Sequence, residues 1–400
     1  MTGPRHRPFR ETSRLRPVAG DGLFTAYNHE PNWAKAHAIL LPAFTKAAME
    51  SYHPTMVATV GELIDAWKRR PTTNPWIDIP AEANRLTTEI VARAGIGHSF
   101  NKLADPDEDP FITTVLRELK YANRRTDAIP FYEKLFGATR RRQHQKDKVW
   151  LRQQIATIIA ERRNTGQRND ATDMLDRMLN TADPSTGEFL DDANITNQIL
   201  TLLVAGSETS ANTIGFALHY LATNPDIAAA VRDEIDQRWP QRSFPNIAFD
   251  DVARLRYLRR VVDETLRLWP VAPGYFRQAK VDTTIGDGRY HFKAGDWVFV
   301  LLLAAHRDTK TWGADAAQFR PDRFLPDNIR SLPPHIYKPF GTGARACIGR
   351  QFALHEIMLT LATVMHQFEL EPETGYELKV SETLTLKPDG LRLIATPRDS

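Results

Sequence analysis

One cysteine in 400 residues, Cys347, excludes an intramolecular disulfide. A reducing cytoplasm fits that usage. No apolar run approaches the roughly 20 residues that a membrane-spanning helix needs. The longest, Trp297 to Ala305, has nine and reads as a buried strand. The formal net charge is only +3, too small an excess to argue for nucleic acid as a partner. Acids are scarce at the front, where Arg5, Arg7, Arg10, Arg14 and Arg16 face only Glu11. No apolar segment of a secretory signal accompanies those arginines. Residues 1–17 therefore read as a basic lead-in; the length of 400 residues alone would suggest two or three domains, and no internal repeat is seen.

What is present suits a large core: 42% of residues are hydrophobic and 25% charged. Helical spacing runs from Asn32 to Trp67, interrupted by Pro42, and from Ala81 to about Ile96, with Trp76–Pro80 as a spacer between them. Asn101–Asp109 is a polar loop, and basic amphipathic stretches follow to Arg163. The most apolar long segment opens at Asp191 and Asp192 and ends before Pro225. A helix apolar on most of its sides runs through a core. Further helices are read at Asp226–Arg238 and Asp250–Leu268. The period then changes. Val281–Val300 reads as a hairpin turning at Asp287-Gly288, Pro321–Pro339 as an irregular loop, and Gln351–Phe368 as a last helix. Glu382–Lys387 and Leu391–Thr396 read as terminal strands. The expected fold class is mainly α with small β-sheets, an α+β chain.

Three places carry chemistry. A glycine-rich loop runs from Phe340 into Cys347 and a helix follows, so the helix N-terminus favours the thiolate. Gly341, Gly343 and Gly349 let backbone approach something flat. Cys347 is thus a candidate axial ligand to haem iron, or else a small buried hydrophobe. Inside the long helix, Gly206 and the hydroxyls of Ala205–Ser210 could open a bulge for a small ligand such as O2. Glu208 and Thr209 would then pass protons into an apolar site. The same hexamer also suits a notch for tight packing. Glu264 and Arg267 share a helix face among apolar neighbours, and a buried pair there needs more hydrogen bonds, for which Arg323 is a candidate.

The set F-x-x-G-x-R-x-C-x-G, A-G-x-E-T and E-x-x-R, with Pro321-Asp-Arg-Phe324, resembles the cytochrome P-450 superfamily over nearly the whole chain. Ala19–Thr25, His306–Asp308, Lys338–Gly341, Gln351–Glu356 and Glu382–Pro388 are similar to the haem domains of self-sufficient bacterial and fungal fatty-acid hydroxylases. In those proteins a diflavin reductase follows on the same chain. The resemblance implies one haem domain over 18–400 and a monooxygenase using O2 on a hydrophobic substrate, with a medium- or long-chain fatty acid favoured. Electrons would come from a flavin reductase or a ferredoxin or flavodoxin. It implies haem b ligated by Cys347, with Phe340, Gly343, Arg345 and Gly349 shaping the loop. Arg345, Trp33 and His37 would hold propionates, although the family more often carries arginine at the place of His37. Glu208 and Thr209 would be catalytic, and Phe24, Ala205, Ala272 and Leu384 would line the substrate pocket. Glu264, Arg267 and Arg323 would be structural.

The family places a helix and the first strands of its main sheet before the Ala19–Thr25 loop, and here 18 residues precede that loop. The hairpin Val281–Val300 is therefore expected to have an unpaired edge. The alternative to an enzyme is a truncated, non-catalytic haem-binding protein.

Overall fold

A computed structural model describes residues 10–100, 103, 110–127, 137–165, 173–382 and 385–398. Its axis is the central helix, Asp192–Thr223. Asp191 starts it: the residue is extended and its carboxylate accepts the Asn194 N–H at 2.7 Å. The 32 residues span about 48 Å at the usual rise. Ile195, Ile199, Leu203, Ile214, Phe216, Leu218 and Leu221 are all buried, so this helix is sheathed by others over most of its length.

Helix Ile79–Ile90 lies along it and continues into a π-helical turn, Val91–Gly95. The contact is tight at Gly206, where a Cβ would stand 3.0 Å from a Val91 methyl. The cysteine helix, Arg350–Gln367, crosses on another side with Phe352, Leu354 and Ile357 through Met365 buried. The pattern read from Asn32 to Trp67 resolves into helix Pro31–Leu40, a 3₁₀ turn at Leu41–Phe44, and helix Lys46–Lys68. Helices Pro110–Asp127 and Ala138–Thr165 pack together through Arg117 and Asp147, bonded at 2.6 and 2.9 Å. The stretch read as Asp250–Leu268 is broken at Leu255 into Phe249–Arg254 and Arg256–Leu268. The polar loop Asn101–Asp109 lies outside the described residues except for Leu103.

The basic lead-in needs correction. Arg10–Ala19 is a helix that buries Leu15, Val18 and Ala19. Arg16 pairs with Glu30 at its end, so the boundary at residue 17 falls inside an element that belongs to the core.

Among the described residues the strands are β1 (Trp76–Asp78), β2 (Gly274–Gln278), β3 (Thr283–Ile285), β4 (Tyr290–Phe292), β5 (Trp297–Leu301), β6 (Phe368–Pro372), β7 (Lys379–Glu382), β8 (Leu386–Asp389) and β9 (Arg392–Pro397). They form one three-stranded sheet, β1-β9-β6, and three two-stranded ones, all antiparallel. The proposed spacer at Trp76 is therefore a strand. The hairpin around Asp287 is small and joins only β3 to β4. The apolar run from Trp297 pairs backward with β2, in register Gly274↔Leu301 to Gln278↔Trp297, and then turns into a short helix at Leu302.

That run is not buried. Trp297, Phe299 and Leu301 are 46%, 37% and 47% exposed, because alternate residues of β5 share the uncovered face of a two-stranded ribbon. Among the described residues neither β2 nor β5 has a second strand partner. Changing Trp297 and Leu301 together to threonine keeps β propensity and removes apolar surface. Less binding of an environment-sensitive apolar dye and less scattering on heating are expected, with stability within about 0.5 kcal/mol of the parent. An unchanged dye signal would place the sticky surface elsewhere.

Candidate active site

The cysteine loop is built by its glycines. Gly341 (φ +67°) and Gly343 (φ +75°) occupy left-handed backbone that a side chain would strain. The Gly341 N–H bonds Lys338 O at 3.0 Å, and the Cys347 N–H returns to Phe340 O at 2.8 Å. A Cβ on Gly343 would meet no protein atom within 4 Å, so that side of the loop is free of protein. Phe340 is partly buried against the main core, with the Arg350 guanidinium 5.6 Å from its ring centre. Gly349 ends the loop and caps the cysteine helix, with Phe44 3.7 Å from where its Cβ would be.

Cys347 is exposed. Burial pushes its thiol up, against the Gly349 N–H and the Arg350 charge, which pull it down. In the protein alone burial wins, and a cation at the sulfur is what would reverse the sign.

Arg345, two residues earlier, reaches across to the loop between the first two helices. Its Nε donates to Asn28 Oδ1 at 2.5 Å, Nη1 to Leu23 O at 3.0 Å and Nη2 to Ala26 O at 2.6 Å. The guanidinium also stacks 4.4 Å from the centre of the Trp33 ring. Burial lowers its pKa to about 10, which leaves it charged at neutral pH. Trp33 and His37 stand one turn apart on helix Pro31–Leu40, rings 5.4 Å apart.

The hexamer Ala205–Ser210 does not open a bulge: the central helix runs through it. Its hydroxyls instead bond back to carbonyls four residues earlier, Ser207 Oγ to Leu203 O at 2.6 Å and Thr209 Oγ1 to Ala205 O at 2.8 Å. The irregular turn is on the neighbouring chain segment, at Val91–Gly95, pressed against Gly206. Ala205 is exposed between buried Val204 and half-buried Gly206. Glu208 is fixed from the far end of the chain, since Thr385 Oγ1 donates to Glu208 Oε1 and Asn212 Nδ2 to Thr385 Oγ1, both at 2.9 Å. Asn212 carries no sequence signal, and Thr385 is marked only as a member of the Glu382–Pro388 segment.

Of the pocket candidates, Phe24 is 49% exposed and Ala272 is exposed, while Leu384 lies outside the described residues. Glu264 and Arg267 are wholly buried and joined by two bonds of 2.6 and 2.8 Å. Arg267 also donates to the carbonyls of His306 and Ala316 at 2.7 Å and of Gln318 at 3.2 Å. Arg323 comes within 3.5 Å of Glu264 and donates to Trp312 O and Asp315 O at 2.6 Å.

One buried acid was invisible in the apolar pattern of the last helix. Glu356 is fully buried, and the Ser210 hydroxyl is the one polar group that faces its carboxyl among the described residues. Burial raises its pKa well above the ordinary carboxylate value, and Ser210 offsets this only in part. A carboxyl neutral in the fold and ionised in the unfolded chain makes stability fall as pH rises from the unfolded to the folded pKa. Within that window the slope is about 1.4 kcal/mol per pH unit. Glu356→Gln removes the titration, so its stability relative to the parent should climb with pH above about 4.3. Urea unfolding at several pH values measures this, and parallel curves would show that Glu356 is ionised in the fold.

Among the described residues, no helix is long and apolar enough to cross a membrane. No group of three or more His, Cys, Asp or Glu residues there could hold a metal ion by itself.

A family model described as Cytochrome P450 matches residues 3–395. The chain is 41% identical over 388 residues to a bifunctional cytochrome P450/NADPH–P450 reductase of Bacillus cereus, covering 96% of this chain and 36% of that protein. It is 34% identical over 387 residues to a self-sufficient cytochrome P450 monooxygenase, CYP505E3, of Phanerodontia chrysosporium, with the same coverage of each. The chain thus spans about a third of the length of these curated relatives. A crystal structure of a cytochrome P450, CYP102L1, superposes with a TM-score of 0.94 at 62% identity, covering 99% of this chain and 88% of that one.

Proposed function

Because the chain belongs to the cytochrome P450 family, we propose that it is the haem-thiolate part of a monooxygenase acting on an apolar substrate, with medium- and long-chain fatty acids as the class. The observation that carries this reading is the position of the single thiol: accessible, and held at the end of a loop whose glycines keep side chains away. The residues present suit a flat, iron-bearing group. Gly343 offers no side chain on its open side. The Trp33 indole N–H and the His37 ring hold no hydrogen-bond partner among the described residues, which suits them to propionate oxygens. Arg345 adds a charge beside them, and its second Nη hydrogens are available for the same purpose.

Haem, when bound through Cys347, supplies the reductive activation of O2. The protein's own part is to hold, orient and move protons. The Gly349 N–H points at the sulfur and tempers its basicity. Thr209 spends its hydroxyl proton on the Ala205 carbonyl, so its oxygen is left as an acceptor facing the site. Glu208, its carboxylate steadied by Thr385, is the group that replenishes protons there. Ala205 and Ala272, both exposed, and Phe24 would line the substrate side with apolar surface. The reductase-bearing names of the relatives support a flavin reductase as electron donor for this chain.

Turnover with a surrogate reductase, NADPH and laurate tests the proposal, and hydroxylated laurate is the expected product. Glu208→Gln should lower product formation by roughly 10²-fold with the reduced carbon monoxide spectrum unchanged. Haem uptake without product, and without a substrate-induced spectral shift, would replace this reading with a non-catalytic haem-binding protein.

A further inference from the structure

The first half of the central helix carries polar residues where its neighbours are apolar. Asn194, Asn197, Gln198 and Thr201 are all buried. Three of the four are committed to one short loop, residues 20–26, between the first two helices. Asn194 Nδ2 and Asn197 Nδ2 donate to Asp21 Oδ1 at 3.0 and 2.8 Å, and Asn32 Nδ2 donates to Asp21 Oδ2 at 2.6 Å. Gln198 Oε1 accepts the Leu23 N–H at 2.8 Å and passes its own N–H to Asn194 Oδ1 at 3.0 Å. The fourth, Thr201, bounds the loop sterically.

The fit is close. A Cβ on Gly20 would stand 2.4 Å from Asn197 Nδ2, and one on Gly22 would stand 2.0 Å from Thr201 Oγ1. Gly20 also has φ +55°, so two glycines let the loop lie flat on the helix. Thr25 Oγ1 closes the loop on itself by donating to Gly20 O at 2.8 Å. Arg345 holds the other side through Leu23 O and Ala26 O. Between these fixed points Phe24 alone projects, half exposed, while Thr25 and Ala26 are buried.

We propose that Asp21 is a positioning residue for specificity: its clasp with Asn32, Asn194 and Asn197 fixes the attitude of Phe24 and so decides which carbon of the substrate is presented. The inference rests on the reading above, in which Phe24 faces substrate. Two features set the clasp apart from ordinary loop fastening. It gathers an acid and three amides, where burial alone would raise the Asp21 carboxyl but the amide donors outweigh it and hold it below its usual value. It is also tied to a second helix, since Arg152 Nη2 on helix Ala138–Thr165 donates to Asn197 Oδ1 at 2.8 Å. A displacement of that helix therefore reaches Asp21, three residues before Phe24, through two hydrogen bonds.

Three variants of the haem-loaded chain test this. Asp21→Ala should speed amide hydrogen exchange at Leu23, Thr25 and Ala26 at least tenfold. It should also redistribute hydroxylation among positions of laurate and raise KM severalfold, with haem content and the reduced carbon monoxide spectrum unchanged. Asn32→Ala, which removes one donor and leaves the carboxylate, should give an intermediate change in both readouts. Asp21→Asn keeps an oxygen acceptor, and Asn32 can turn its own amide oxygen toward the new N–H, so most of the parent pattern should return. Parent-like exchange in the loop of both alanine variants overturns the clasp. Faster exchange with an unchanged product distribution overturns the role in specificity. A parent chain that oxidises no fatty acid removes the functional reading and this one with it, whereas an active parent with an unmoved product pattern removes this one alone.

Discussion

Serine at position 347 will take up no thiolate-type haem: the reduced carbon monoxide complex will lose its red-shifted Soret band, and product formation will fall below detection. A serine alcohol does not ionise at neutral pH and cannot replace the electron-rich sulfur on which thiolate chemistry depends. The substitution is nearly isosteric. The Cys347 N–H still reaches Phe340 O, and the glycine turns at 341 and 343 do not involve the side chain. Urea unfolding of the haem-free variant should stay within about 1 kcal/mol of the parent. That pairing separates loss of a ligand from loss of a fold. A variant that keeps the band would remove Cys347 from the iron.

The second large effect falls on folding. Arg267→Ala leaves the Glu264 carboxylate in a site with no solvent access and strips donors from the carbonyls of His306, Ala316 and Gln318. Removing one partner of a buried ion pair costs roughly 3–5 kcal/mol. A domain has only about 5–15 kcal/mol in total. We expect little soluble protein and a urea midpoint far below the parent. Arg267→Lys tests the cause, because an ammonium restores the charge without the fork. Only partial recovery is expected, since a lysine cannot serve both Glu264 oxygens and two carbonyl-bearing loops together. Full recovery would mean that charge alone matters there.

The sequence disclosed those elements whose cause is local. The central helix was legible because apolar residues fall on nearly every side of it, and its start because Asp191 caps it. Glu264 and Arg267 could be put on one face from their spacing alone. What they bond to could not, because the carbonyls of His306 and Ala316 are set by the path of a loop rather than by residue type. Strands β1 and β2 were missed for the same reason: three residues at Trp76 and five after Pro273 carry no period, and their partners lie at β9 and β5. The run at Trp297 was read as buried because hydrophobicity was equated with a covered face, but β5 is covered on one side only. Asp21 and its amides were missed because each is an unremarkable polar residue alone. Their meaning comes from three segments converging, at sequence separations of 11, 173 and 176.

Arg345 grips atoms at residues 23, 26 and 28 from 322, 319 and 317 positions away. Strand β1 waits for β9 over a similar interval, Trp76 being paired with Ile394. A chain leaving the ribosome at about 5–20 residues per second therefore carries its amino-terminal loop for roughly 15–65 s before the segment that holds it emerges. Until then Phe24 and the loop around it have only the central helix as a template. The segment from Arg345 to Cys347 thus brings the proposed iron ligand and the loop's second anchor together in one step. Cofactor capture then has to follow the emergence of residue 347, and a nascent chain arrested before residue 345 should hold neither haem nor a protected Leu23 amide.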